Sequence, residues 1–76
     1  MDQPTLRLLI HNKLAEGRLP PERLPFLRIG PSAGETCDGC GESVTRPQIA
    51  IEVLGATGCM VWFHDPCFRM WDAERP

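Results

Sequence analysis

Tyrosine is absent from these 76 residues, and the aromatic set is small: three phenylalanines and two tryptophans. These rings do not alternate with basic residues, so the stacking platform of a single-strand nucleic-acid binder is missing. A long apolar run is missing too, which removes a membrane-spanning helix, and no signal-type segment is read at the start. The expectation is a cytoplasmic chain with reduced thiols; a secreted chain already stripped of a leader is the competing reading. Charge of one sign is also lacking. The formal net charge is −2, which argues against a general nucleic-acid binder. The catalytic signatures are absent as well. Gly30 and Gly34 lack the Lys and Ser/Thr of a phosphate-binding loop, no H-x-E precedes a P-C-x-x-C, and Glu42 and Glu52 have no carboxylate partner. The chain is not expected to be an enzyme.

What is present is a set of soft metal donors. Cys37-Asp38-Gly39-Cys40 is answered by His64-Asp65-Pro66-Cys67, in the pattern C-x2-C-x23-H-x2-C. Two short chelating pairs supply the four ligands of a closed tetrahedral site, and three thiolates with one imidazole suit Zn²⁺. A closed site points to structure, since a catalytic zinc keeps an exchangeable position. The same ligands also accept iron, and a lone C-x-x-C reads as a redox pair, but a thioredoxin-like pair opens a helix inside a larger α/β domain. Here Gly39 and Gly41 make a tight knuckle instead. A chain this short has a marginal core, and a structural metal is the expected supplement. Cys59 is a fifth soft atom. It reads as a structural cysteine, with a redox-sensing thiol or a replacement ligand as alternatives.

Along the chain, residues 4–16 predict a helix with Pro4 in its first turn, an apolar stripe of Leu6, Leu9, Ile10 and Leu14, widened by Leu8 and Ala15, and a stop at Gly17. Arg7, Asn12, Lys13 and Glu16 fall mostly off the stripe, and His11 reads as a surface residue. Residues 18–36 predict a packed connector, broken by Pro20, Pro21 and Pro25. Residues 48–54 and 59–64 alternate and read as a β-hairpin around Gly55–Gly58, with the first helix and the connector as its cover. Asp65 as cap and Pro66 as first residue open a last helix carrying Cys67, Phe68 and Trp71, with both rings packed on the hairpin.

A knuckle, a hairpin and a helix whose first turn gives the last ligand resemble a treble-clef zinc finger. The spacing of Cys37, Cys40, His64 and Cys67, with Phe68 directly after, resembles the first half of a LIM domain over residues 37–72. The second zinc module of LIM domains does not follow, and the extra residues precede the finger, as in a small bacterial-type protein. The resemblance implies one structural zinc and a protein-binding role.

The resulting expectation is a small α+β zinc-binding domain over 1–76, with an N-terminal helix and connector in 1–36 and the finger in 37–76. Its function is expected to be macromolecular interaction, first with protein, through Leu6, Ile10, Met60, Trp62 and Trp71. Nucleic-acid binding through Arg18, Arg23 and Arg28, in the more basic first third, is the alternative, with a thiol-based redox or zinc sensor as the third. No small-molecule substrate and no membrane are expected as partners.

Overall fold

Helix α1 spans Gln3–Ala15, one residue ahead of the expected range. Pro4 sits in its first turn, where a missing N–H costs nothing. Its end is set by Gly17, whose φ of +74° closes a Schellman motif. The Gly17 N–H bonds to the Leu14 carbonyl at 3.2 Å and the Arg18 N–H to the Lys13 carbonyl at 2.8 Å. The computed structural model describes residues 2–46, 48–55, 58 and 60–75, with residues 23–26 described through the backbone alone.

After α1 come strands β1 (Arg23–Pro31), β2 (Ile49–Gly55) and β3 (Met60–His64), then helix α2 (Asp65–Glu74). The strands form one antiparallel sheet in the order β1-β2-β3. The expected hairpin is β2–β3, and the Gly58 N–H closes onto the Gly55 carbonyl at 3.0 Å. Strand β1 is a correction: the prolines of residues 18–36 predict a broken connector, yet within that stretch Arg23 and Leu27 to Pro31 pair with β2. An edge strand tolerates proline because alternate N–H groups face away from the sheet. The Ser32 N–H bonds inward to the Gln48 carbonyl, so alternation turns the backbone groups of Pro31, Ile29 and Leu27 outward.

One face of the sheet carries three rows of apolar side chains. Leu27, Val53 and Val61 stand in register, as do Ile29, Ile51 and Phe63, while Pro31 faces Ile49. Helix α2 packs on the β2–β3 half of this face, and α1 packs on α2. The cover is therefore α2, not the first helix and connector. Trp71 is fully buried, its ring stacked on Phe63 with centroids 5.1 Å apart, and Phe68 meets Phe63 edge-on. The Trp71 Nε1–H donates to the Pro20 carbonyl at 2.9 Å, which satisfies its one polar atom and pins the segment after α1. Beside it, Leu19 is fully buried. Arg7 and Glu74 form an ion pair between the helices.

The β1 half of the face is left open. Leu27 is 40 %, Ile49 51 % and Ile29 59 % exposed. Leu8, expected to widen the buried stripe of α1, is 61 % exposed, while Lys13, expected off the stripe, is buried. Among the described residues no helix is long and apolar enough to cross a membrane.

Candidate metal centre

Cys37 and Cys40 lie in a tight turn ahead of β2. The Cys37 N–H bonds to the Glu42 carbonyl and the Gly41 N–H to the Cys37 carbonyl, both at 2.8 Å, and Thr36 pairs with Ser43 below the turn. This knuckle docks on the outer edge of β3 chiefly through Asp38. Asp38 donates its N–H to the Trp62 carbonyl at 2.7 Å, and its carboxylate accepts the Trp62 N–H at 2.9 Å. That pairing brings the two cysteines beside His64, the last residue of β3.

His64 is extended, with ψ of 155°, and caps α2; Asp65, expected as the cap, is already helical. Pro66 follows in the first turn, which also holds Cys67. The strand-to-helix corner thus directs both donors of the second pair toward the knuckle.

The four donor atoms lie within 4.8 Å of one another. Nδ1 of His64 is 3.4 Å from Cys40 Sγ and 3.9 Å from Cys67 Sγ. A tetrahedron with metal–sulfur arms of about 2.3 Å and a metal–nitrogen arm of about 2.0 Å has edges of roughly 3.5–3.8 Å. The donor set therefore fits a four-coordinate metal. Nε2 of His64 lies 3.2 Å from the Ser43 carbonyl, so a proton there is satisfied and Nδ1 is the nitrogen offered to a metal. The sulfurs are supported as acceptors, with the His64 N–H 3.4 Å from Cys37 Sγ.

The thiols divide their protons unevenly. A hydrogen bond from the Cys67 thiol, with help from the backbone of Cys40, His64 and Gly39, holds Cys37 down to about 4. The same bond keeps the proton on Cys67 and pushes that thiol up, and burial raises Cys40. A metal needs all three sulfurs as thiolates, so its binding displaces protons. Cys40, His64 and Cys67 border a cleft of about 490 Å³, flanked by Leu6, Gln48 and Ile49.

The remaining site expectations separate. Leu6, Ile10 and Trp71, expected as partner contacts, are buried in the core and offer nothing to a partner in this fold. Met60 and Trp62 are half-buried on the sheet face away from α2. Arg18 is exposed and paired with Glu16 at 3.1 Å, and Arg28 lies 3.9 Å from Glu52. The Arg23 side chain and Cys59 lie outside the described residues. Sequence reasoning missed Lys13, whose Nζ donates to the Asp38 and Gly39 carbonyls of the knuckle, each at 3.0 Å. Its spacing to Leu6 and Ile10, seven and three residues, was the available signal, outweighed by its charge. Compared with protein families, curated proteins and solved structures, the chain matches none of them, and the reading of this centre rests on its own geometry.

Proposed function

We propose that the chain is a zinc-stabilised protein-interaction module. One structural Zn²⁺, held by Cys37, Cys40, His64 and Cys67 in a treble-clef-like, LIM-like finger, sets the fold, and the open edge of the sheet does the binding. Four protein donors leave no position for water or substrate, so catalysis is not part of the proposal. Zinc thiolates need reducing surroundings, which supports a cytoplasmic setting.

The observation that carries the binding role is the coincidence of a strand edge unpaired among the described residues with an exposed apolar row. Leu27 and Ile29 direct backbone groups outward from β1, and their side chains, with Ile49, are exposed beside them. An extended segment of a partner protein, with aliphatic residues at alternate positions, fits both features by adding a fourth strand. The basic residues support nucleic acid less well, since Arg18 and Arg28 each face a carboxylate.

Selection of displayed peptides on the zinc-loaded chain tests this. Expected are extended binders whose NMR shift changes cluster at Leu27, Ile29 and Ile49, and whose affinity is lost in Ile29→Lys without loss of zinc. Binders that map elsewhere, or a salt-dependent response to DNA or RNA at Arg18 and Arg28 instead, would overturn it.

A further inference from the structure

The chain has a single lysine, and it is buried: Lys13 is 8 % exposed. Its Nζ donates to two carbonyls, and among the described residues no carboxylate lies within ion-pair distance of it. A buried ammonium with no counter-charge is strongly disfavoured, and two neutral carbonyls do not supply one. Both carbonyls, however, belong to Asp38 and Gly39, the two residues between ligands Cys37 and Cys40.

The charge of the centre closes the account. A divalent ion with three thiolates and a neutral imidazole carries −1. We propose that Lys13 is the counter-cation and positioning residue of this centre: its ammonium balances the metal–thiolate anion and, through the two carbonyls, holds the knuckle in its ligating shape. The inference rests on the divalent metal centre proposed above. It adds a metal-dependent role for α1, which reaches the knuckle through this side chain from a helix end fixed by Gly17. It also adds a selectivity: a trivalent ion makes the centre neutral and leaves Lys13 uncompensated, so the site favours the divalent state.

Two measurements test it. In the natural chain, Lys13 is the only side-chain target for an amine-reactive label. With zinc bound it is expected to resist labelling, and after chelation under reducing conditions to react like a free lysine. Labelling at the free rate with zinc bound would overturn the proposal. In variants, Lys13→Met removes the charge while keeping the length, and Lys13→Arg keeps the charge. Competition with a chromophoric chelator is expected to show zinc affinity reduced about 10- to 100-fold in Lys13→Met and largely restored in Lys13→Arg. With iron in place of zinc, Lys13→Met is expected to lower the ferric/ferrous potential, because the lost cation no longer stabilises the more negative ferrous centre. Equal affinities and equal potentials in the natural chain and Lys13→Met would sink the counter-ion role while leaving the zinc centre standing. Failure of the natural chain to bind Zn²⁺ at all would sink both.

Discussion

Gly39 shows how closely the knuckle is fitted to what lies behind it. A Cβ at this position would stand 3.0 Å from Cys67 Cβ and 3.3 Å from Phe63 Cδ1. Neither neighbour can easily give way, because Cys67 is held by the centre and Phe63 by the stacked Trp71 ring. Gly39→Ala is therefore expected to cost about 1–3 kcal/mol of stability with zinc in excess, as overpacking in a dense core does. The midpoint of denaturant unfolding reads this directly, and an unchanged midpoint would mean that the knuckle has slack. At this scale the four ligands were legible in the sequence because chelating pairs are local, two residues between donors in each case. Lys13 was not legible, because its value comes from carbonyls 25 and 26 positions away. A periodicity reading sees only a charged residue on a helix.

The elements were legible where their residues reported on local geometry, and less so where tertiary packing decided. Helix α1, the β2–β3 hairpin and α2 follow from stripe, alternation and proline placement. Strand β1 does not, since Pro25, like Pro20 and Pro21 before it, reads as a break until the edge position of the strand is known. Three of the five expected partner contacts lie in the core for a related reason. An apolar residue looks the same in sequence whether it faces a partner or the core, and α2 resolved Trp71, with Leu6 and Ile10, in favour of the core. The hierarchy of contacts, sheet under α2 and α2 under α1, makes Trp71 the joint of the fold. Trp71→Ala removes the stacking on Phe63, the contact with Phe68 and the bond to Pro20, and is expected to destabilise by about 3–5 kcal/mol. Leu8→Ala, on the exposed side of α1, is expected to stay within about 0.5 kcal/mol. Parallel urea titrations of the two variants check the contrast, and a comparable loss in both would contradict the packing order.

For the whole molecule the centre joins parts that the small core holds only weakly. A metal held by the four donors would connect the turn before β2 to the β3–α2 corner, and the described core holds only a dozen buried apolar side chains. Chelation under reducing conditions is expected to unfold the chain cooperatively, with the far-ultraviolet helix signal and the buried-tryptophan fluorescence lost together. Acid should do the same for a reason written in the thiols. Cys37 is lowered in the fold, so the stability it contributes is present above the ordinary thiol range and is lost as the pH falls toward about 4. Cys40 and Cys67 are raised, so their own contribution runs the other way and is lost as the pH rises above the ordinary thiol range. A metal needs all three as thiolates, and the metal-free chain it binds is expected to be unfolded, with its thiols in the ordinary range, so at neutral pH it displaces about three protons per ion and its apparent affinity falls roughly 1,000-fold for each unit of acidification. Zinc titrations in buffers of different ionisation enthalpy count those protons. A count near three fits a chain whose fold and centre form in one step, whereas a count near two would mean that the fold persists without the metal and keeps Cys37 ionised, and a count near zero that the sulfurs were already ionised together.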